Sequence, residues 1–261
     1  MADITVNFQN VKAPFKKVHG VNNGPVTYGS LVNVTKYYKR VEVPFIRLHD
    51  PNWPHPREID IHHIFPDLDK DPTDPANYDF TTSDEYMRTV VNTGAEVLVR
   101  LGESIEHTER KYFVHPPKDY EKWAQVCIHI IRHYNEGWKD GFHYGIKYWE
   151  IWNEPDNPPA MWSGTPEDYY RLYEVASKAI KTEFPELMVG GPALARPYKT
   201  KFMDDFLKYV RDRKLPLDFF SWHSYTADVN VIKTIAKHVR EQLDAHGFEH
   251  TESHLNEWNH F

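Results

Sequence analysis

Seven short apolar segments, separated by longer stretches with helical periodicity, constrain the fold of this chain more than any other feature of its 261 residues. The segments are Val18–Asn22, Phe45–His49, Glu96–Leu101, Lys147–Trp152, Leu187–Gly191, Leu217–Ser221 and His254–Trp258. Most of them are nearly continuous in Val, Ile, Leu and aromatic residues, which is typical of parallel strands covered on both faces. Their alternation with helices predicts an α/β fold with a parallel sheet.

The stretches between the strands carry helix signals, and the clearest signal follows the fourth strand. Thr165 is a favourable N-cap residue, and Pro166 fits the first helical turn. From Tyr169 onward, apolar residues repeat every three to four positions, which is the spacing of one helix face. Gly94 and Gly247 stand where two other helices are expected to end.

Repeated βα units of this kind close most naturally into a (β/α)8 barrel of the TIM-barrel type, with the active site at the C-terminal ends of the strands. The sequence predicts seven strands, so we expect residues 18–261 to form a barrel without its eighth βα unit. Residues 1–17 are predicted to be an N-terminal extension with a short strand at Ile4–Phe8. Unpaired strand edges predict association through these edges or a homo-oligomer. An open doubly wound sheet is the alternative fold, although no GxGxxG turn supports it.

Charge and cysteine content exclude several classes of function. The formal net charge is −7, and Lys and Arg are scattered, which argues against a nucleic-acid partner. The single cysteine, Cys127, excludes an internal disulfide and a Cys-based zinc cluster. No apolar run reaches the roughly 18 residues of a membrane span, and the N-terminus lacks a signal peptide pattern. We therefore expect a cytoplasmic protein without a membrane partner; a secreted protein whose signal was removed stays an alternative.

A long proline-rich stretch from Asp50 to Phe80 interrupts the alternation of strands and helices. Loops of that length in compact domains are usually functional or disordered. Because the stretch contains Trp53, His55, Ile61 and Phe65, we predict an ordered loop that faces the substrate.

Two of the predicted strands end in glutamate motifs. The fourth ends in Trp-Asn-Glu-Pro at 152–155, and the seventh ends in Asn-Glu-Trp-Asn at 256–259. Because the C-terminal ends of barrel strands surround one opening, Glu154 and Glu257 are expected to face each other there. Glycoside hydrolysis requires such a pair of carboxylates, and an aromatic content of 15% suits the packing of sugar rings.

These motifs, and the order of the strands between them, resemble glycoside hydrolases of clan A and most of all glycoside hydrolase family 39, which includes β-xylosidases and α-L-iduronidases. The resemblance implies retaining hydrolysis of β-linked glycosides, with Glu154 as general acid/base and Glu257 as nucleophile. It implies a carbohydrate substrate, a β-xyloside first, and no cofactor or metal. Family members continue into an eighth βα unit and an accessory β-sandwich, both of which we expect to be missing from this chain.

Several alternatives to a β-xylosidase stay open. Asn256 stands where a threonine is common in the family, which leaves the identity of the sugar open. A uronide, glucoside, galactoside or arabinoside is the alternative substrate. The alternative that is not an enzyme is a carbohydrate-binding or inactive barrel.

The resemblance also assigns residues that bind the substrate. It places Asn153 on the 2-hydroxyl of the sugar, and it places His223 and Tyr225 in the site, with the tyrosine hydroxyl bonded to the nucleophile. A loop cap is the alternative role for Asn153, and core packing is the alternative for the other two. Trp258 and Trp53 are candidate platforms for a sugar ring, with simple packing as the alternative.

Arg47 and His49 are predicted to point to the same face of the second strand, because successive side chains of a strand alternate. A buried arginine is costly unless a carboxylate pairs with it. We therefore expect Arg47 to contact Glu257 and His49 to point toward the sugar. A structural pair of Arg47 with Glu103 is the alternative; Glu103 is itself a weaker candidate for binding a sugar hydroxyl.

Two histidine pairs have some features of metal sites. His62 and His63 lie beside Asp60, and His129 lies one helical turn before His133. Neither pair forms an HExxH motif or has an obvious third ligand. We therefore predict that these histidines face solvent and that the protein has no catalytic metal.

Overall fold

The computed structural model describes residues 5, 7, 9–10, 17–27, 32–50, 57–198 and 201–260. The predicted strand at Ile4–Phe8 lies largely outside these residues, and so does Trp53. Within the described residues, a strand is present in each of the seven segments predicted to form one.

The strands form one seven-stranded parallel sheet and one small hairpin. The sheet contains β1 (Val21–Asn22), β4 (Phe45–Leu48), β5 (Glu96–Leu101), β6 (Tyr148–Ile151), β7 (Met188–Leu194), β8 (Phe219–Tyr225) and β9 (Glu252–Asn259), and the hairpin contains β2 (Val26–Thr27) and β3 (Val32–Asn33). The strands of the sheet are neighbours in chain order, and each pair is parallel. The order never reverses, so the doubly wound alternative is wrong and the TIM-barrel type is confirmed.

The sheet curls until its first and last strands approach each other. At their C-terminal ends, Asn22 Nδ2 of β1 donates a hydrogen bond of 3.4 Å to Glu257 Oε2 of β9. Side chains from both ends of the chain therefore meet at one opening of the barrel.

Seven α-helices are described, and most of them pack against the outside of the sheet. They are α1 (Thr35–Arg40), α2 (Ile61–Ile64), α3 (Thr81–Val91), α4 (Tyr120–Glu136), α5 (Pro166–Glu183), α6 (Phe202–Asp212) and α7 (Val229–Ala245), with a 3-10 turn at Pro75–Asn77. None of these described helices combines the length and apolarity that crossing a membrane requires.

The predicted helix boundaries are confirmed where their signals were clearest. The Thr165 side chain accepts a hydrogen bond from the Asp168 amide at 3.1 Å, and the Asp168 carboxylate accepts one from the Thr165 amide at 2.8 Å. This reciprocal capping box satisfies two amides that a helix start leaves unpaired. Gly94 and Gly247 follow α3 and α7 with φ of 83° and 86°, a left-handed conformation that favours glycine.

The long loop after β4 is ordered over its described part, and that it faces the substrate stays a prediction. It contains the short helix α2, and Ile61 and Phe65 are buried in the main core. Burial of these two side chains ties the loop to the barrel, which explains why its described part is ordered despite several prolines.

The histidines of α4 do not face solvent, so that part of the prediction is wrong. His129 is 5% exposed and His133 is 1% exposed. The His133 ring stacks on Phe80 with centroids 3.6 Å apart, and its Nε2 lies 2.8 Å from Asp84 Oδ1. Loops and α3 cover more of the α4 surface than the apolar face predicted from the sequence. The aromatic ring of His133 can pack in this covered region because it stacks on Phe80.

Packing around the end of β6 holds the Trp-Asn-Glu-Pro segment in place. Tyr169 of α5 donates its hydroxyl to the Ile151 carbonyl at 2.9 Å, and the Trp152 indole donates to the Met161 carbonyl at 2.8 Å. Trp152 and Glu154 have φ of 70° and 47°, an uncommon conformation for residues other than glycine. Strained backbone of this kind persists when surrounding contacts determine it, and it clusters at functional sites.

Candidate active site

Glu154 and Glu257 face each other at the C-terminal opening of the barrel. An oxygen of Glu154, a ring nitrogen of His223 and an oxygen of Glu257 all lie within 4.8 Å of one another. The Glu154 amide donates to the Ala193 carbonyl at 3.0 Å, which ties the end of β6 to β7. Residues distant in sequence therefore form one compact pair of carboxylates.

An irregularity in β9 sets the direction of the Glu257 side chain. Trp222 of β8 pairs with Leu255, but the next residue, His223, pairs with Glu257, so Asn256 is an extra residue. Bulges of this kind redirect side chains near active sites. Here the bulge lets two consecutive residues, Asn256 and Glu257, both contact groups inside the barrel.

Arg47 lies beneath the two carboxylates and is the centre of a buried ionic network. Its Nη1 is 3.1 Å from Glu257 Oε2, and its Nη2 donates to Asn153 Oδ1 at 2.6 Å. Its Nε and Nη2 bind Glu150 Oε2 at 2.8 and 2.6 Å. The expected contact between Arg47 and Glu257 is present, and the alternative pairing of Arg47 with Glu103 is wrong.

Glu150 is part of this network, and the sequence analysis did not identify it. It is fully buried on β6, and its second oxygen accepts a hydrogen bond from Asn256 Nδ2 at 2.7 Å. A glutamate inside a continuous apolar strand was the available signal, because a buried carboxylate requires a cation or donors. Asn256, which departs from the family pattern, acts here as a partner of Glu150.

The buried pairing of Arg47 with Glu150 predicts a large effect on stability. We expect Arg47→Ala to lower the free energy of unfolding by about 3–5 kcal/mol, since it leaves Glu150 buried without a cation. The measurement is denaturant unfolding. Arg171→Ala is the control. Because Arg171 is half exposed, we expect this substitution to lower the free energy of unfolding by at most about 1 kcal/mol.

A double variant separates the loss of the ion pair from the loss of packing. Adding Glu150→Gln to Arg47→Ala removes the uncompensated charge and should restore part of the lost stability. An Arg47→Ala variant within about 1 kcal/mol of the wild type would contradict the assigned network.

His223 and Tyr225 lie on the extended end of β8 and contact both glutamates. His223 Nδ1 is 2.8 Å from Glu154 Oε1, and its Nε2 is 3.8 Å from Glu257 Oε2. Burial alone lowers the pKa of His223, but the Glu257 and Glu154 carboxylates outweigh burial and raise it. The Tyr225 hydroxyl donates to Glu257 Oε1. Both side chains therefore lie where the family resemblance places them.

The surroundings of Glu257 favour its ionised form. Burial raises the pKa of this carboxyl, but His223, Arg47 and the Tyr225 hydroxyl together hold it below its usual value. Glu154 has a different set of partners, since its Oε2 accepts a hydrogen bond from Asn157 Nδ2 at 2.9 Å. The two carboxyl groups are therefore not equivalent.

The remaining predicted site residues differ in their placement. Asn153 is 1% exposed and contacts Arg47, and His49, which directly follows β4, is 4% exposed. Trp258 is 59% exposed, and strand alternation turns it away from the interior that Glu257 faces. The structure therefore does not place Trp258 with the two glutamates, and Trp53 lies outside the described residues.

A second acidic cluster lies near the end of β5. Ligand atoms of Asp60, His62 and Glu103 lie within 4.8 Å of one another, so Glu103 supplies the third group that sequence analysis did not find. His62 contacts Glu103 and stacks on Phe113 with centroids 3.6 Å apart, so it packs against the loops. His62 and Glu103 line a cavity of about 530 Å³ over the start of α4.

In each of the two clusters that resemble metal sites, an arginine guanidinium pairs with one of the carboxylates. Asp60 accepts hydrogen bonds from Arg100 Nη2 and Ser104 Oγ, each at 2.7 Å. In the cluster of Glu154, His223 and Glu257, Arg47 Nη1 lies 3.1 Å from Glu257 Oε2. The charge of these carboxylates is thus partly compensated by the protein itself.

The sequence is similar to proteins named as glycosidases over part of its length. It is 35% identical over 133 residues to a beta-xylosidase of Geobacillus stearothermophilus and 36% identical over 139 residues to a beta-xylosidase of Caldicellulosiruptor saccharolyticus. Each match covers 49% of this chain, and they cover 25% and 27% of those proteins. An alpha-1,4-L-rhamnosidase of Formosa agariphila is 26% identical over 124 residues.

Solved structures share the same fold. A glucosidase from Croceicoccus marinus has a TM-score of 0.79 and 31% identity, over 94% of this chain and 51% of that one. A monomeric beta-xylosidase from Caulobacter crescentus CB15 has a TM-score of 0.69 and 20% identity, over 97% of this chain and 54% of that one, which shows the fold alone. The chain thus spans about half the length of these solved relatives.

The sequence profile of glycosyl hydrolases family 39 matches residues 55–253, which is well over half of the chain. That match contains the Trp-Asn-Glu-Pro motif and both β6 and β8. The match ends before the second strand-end motif at 256–259. The family resemblance is confirmed, and the chain belongs to glycosyl hydrolases family 39.

Proposed function

We propose that this chain carries the active site of a retaining glycosidase, with Glu154 as the general acid/base and Glu257 as the nucleophile. One observation carries the proposal: oxygen atoms of the two carboxyl groups lie within 4.8 Å of each other. Retaining glycosidases hold their carboxyl groups about 5–5.5 Å apart, whereas inverting enzymes need about 6.5–9.5 Å to admit a water molecule. The spacing therefore supports direct attack on the sugar.

In the first step, Glu257 attacks the anomeric carbon while Glu154 transfers its proton to the departing glycosidic oxygen. The bond between the anomeric carbon and the aglycone breaks, and an ester between the sugar and Glu257 forms. The lowered pKa of Glu257 supports this assignment because the attacking carboxylate must be ionised. Arg47 and Tyr225 hold one oxygen each, which fixes the orientation of the carboxylate.

In the second step, Glu154 removes a proton from water, and the water oxygen attacks the anomeric carbon. The ester bond breaks and Glu257 leaves as a carboxylate. His223 suits both steps because it lies between the carboxyl groups, 2.8 Å from Glu154 and 3.8 Å from Glu257. Its position lets it stabilise negative charge on whichever of the two is ionised.

A β-xyloside is the first substrate we propose, because two relatives that are 35% and 36% identical to this chain over 49% of its length are named beta-xylosidases. The related glucosidase and rhamnosidase keep other sugars among the alternatives. Neither the proposed chemistry nor the positions of the two glutamates changes with the sugar.

The test is hydrolysis of a panel of aryl β-glycosides, followed by proton NMR of the sugar released first. We expect turnover of the aryl β-xyloside and release of the β-anomer before mutarotation. First release of the α-anomer would contradict the retaining mechanism. Sugar binding with no turnover of any glycoside would instead favour a carbohydrate-binding barrel.

A further inference from the structure

The Asp156 carboxylate ties the segment after Glu154 to the residues that follow β7. It accepts hydrogen bonds from the Ala195 and Arg196 amides, each at 2.9 Å. Asp156 is 7% exposed, and burial raises the pKa of its carboxyl although the two amides oppose this effect. The two hydrogen bonds fix the backbone of Arg196 beside the segment that carries the proposed acid/base.

Asn157 connects the Arg196 side chain to Glu154. Its Nδ2 donates to Glu154 Oε2 at 2.9 Å, and its Oδ1 accepts a hydrogen bond from Arg196 Nη2 at 3.5 Å. A carboxylate offers only acceptors and a guanidinium offers only donors, so both partners require the same orientation of the amide. One amide group therefore separates the Arg196 guanidinium from the carboxyl group of the proposed acid/base.

Arg196 differs from the arginines inside the barrel. Arg47 and Arg100 are buried, and each pairs with a carboxylate. Arg196 is exposed, and its guanidinium pairs with no carboxylate of the residues that the structure describes. Because a guanidinium stays protonated at any pH that a folded protein tolerates, Arg196 places an uncompensated positive charge at the barrel opening of a chain whose net charge is −7.

Arg196 lies on the side of the opening from which the leaving group departs. Glu257 attacks one face of the anomeric carbon, so the bond to the aglycone breaks on the other face, where Glu154 delivers its proton. His223 lies between the two glutamates and contacts Glu154 Oε1, whereas Oε2 is turned toward Asn157. A leaving group that Glu154 protonates therefore extends toward Asn157 and Arg196.

We propose that Arg196 binds a carboxylate of the leaving group, so that the enzyme prefers β-glycosides with an acidic aglycone. Arginine suits this role because its planar fork of N–H donors matches the two oxygens of a carboxylate. The inference rests on the proposed glycosidase function and names a class of leaving group for it. An aromatic acid and an acidic sugar both supply such a carboxylate.

The test compares two aryl β-xylosides of similar shape, one with a 3-carboxyphenyl and one with a 3-carbamoylphenyl leaving group. The ratio of their kcat/KM values, acid over amide, measures the preference for the carboxylate. We expect Arg196→Gln to lower this ratio by about 3- to 10-fold, between the effects of an exposed ion pair and of a hydrogen bond to a charged group. Comparing ratios cancels any difference in reactivity between the two leaving groups.

Arg211→Gln is the matched control. Arg211 is also exposed and lies at the end of α6 that leads back to the start of β8, away from the opening. The substitution removes the same charge from the protein, so a general effect of net charge would appear in both variants. We expect Arg211→Gln to keep the wild-type ratio.

Salt and charge reversal test whether the preference is electrostatic. At an ionic strength of roughly 1 M, exposed charges interact only over about 3 Å, so the wild-type ratio should fall toward that of Arg196→Gln. Arg196→Glu should lower the ratio further than Arg196→Gln, because it places a negative charge beside the acidic leaving group. A wild-type ratio that does not respond to salt, together with equal ratios in these two variants, would overturn the inference.

A second pair of substrates distinguishes the two sources of the carboxylate. These are β-xylosyl disaccharides that release either glucuronic acid or glucose. A larger wild-type preference for acid in the disaccharide pair identifies an acidic sugar as the leaving group, and a larger preference in the aryl pair identifies an aromatic acid. Either result supports the inference provided that the preference falls in Arg196→Gln.

The outcomes separate this inference from the proposed function. A wild type that hydrolyses both aryl xylosides, with a ratio unchanged in Arg196→Gln, overturns the inference and leaves the function standing. An equal loss of activity toward both substrates in Arg196→Gln also leaves the ratio unchanged, and it would show that Arg196 supports the structure without recognising the leaving group. A wild type that hydrolyses no glycoside removes both proposals.

Discussion

Replacement of Glu257 by alanine is expected to lower kcat/KM for an aryl β-xyloside by about 10⁴-fold or more, the scale observed when a covalent nucleophile is removed. Without this carboxylate, the sugar ester on residue 257 cannot form, and the small side chain leaves an open space below the anomeric carbon. Arg47 and Tyr225 would lose a shared partner.

Azide distinguishes loss of the nucleophile from loss of the fold. In Glu257→Ala, azide should enter the space and attack the anomeric carbon while Glu154 protonates the leaving group, so the product is an α-glycosyl azide. Glu252→Ala, at the start of the same strand, is the control and should retain most of the wild-type activity. A Glu257→Ala variant with more than a tenth of wild-type activity would remove Glu257 as the nucleophile.

The fold was predictable because its signals are local. Continuous apolar runs bounded by helical patterns placed a strand in each of the seven segments, and the Thr165 capping box placed the start of α5. Side-chain alternation on the second strand was enough to predict that Arg47 points inward, and the cost of a buried arginine was enough to predict a carboxylate partner.

The ionic network was not predictable because it depends on register between distant strands. Glu150 binds Arg47 and Asn256 only because β6, β4 and β9 lie around one barrel, and Asn256 reaches inward only because of the bulge in β9. Neither the pairing register nor a bulge of one residue has a signature in a single sequence.

The degree of burial of individual polar and aromatic residues could not be predicted from the sequence either. His133 sits on an α4 face that looks polar by composition, yet Phe80 and Asp84 cover it from other parts of the chain. Trp258 has the opposite environment, since it is 59% exposed and its strand position turns it away from the interior that Glu257 faces. In both cases the neighbours, rather than the residue type, decide the environment.

Glu154→Ala is expected to show a loss of activity that depends on the leaving group, and this dependence separates an acid/base from a nucleophile. For an aryl glycoside that needs protonation, such as a phenyl β-xyloside, we expect a loss of about 10²–10⁴-fold in kcat/KM. For a 2,4-dinitrophenyl β-xyloside, whose leaving group needs no proton, the first step should stay within about 10-fold of the wild type, with a burst before slow release of the sugar.

Azide again provides the decisive product. In Glu154→Ala, azide attacks the ester on Glu257 without needing a base, so it should accelerate turnover and yield a β-glycosyl azide, the opposite anomer to that expected from Glu257→Ala. Glu167→Gln, on the exposed first turn of α5, is the control. Its kcat/KM should match that of the wild type for both leaving groups, and azide should not accelerate its turnover. An equal loss of activity for both leaving groups, with no azide product, would contradict the assignment. Removal of a general acid should matter little for a leaving group that needs no proton, whereas removal of any other essential group should affect both substrates alike.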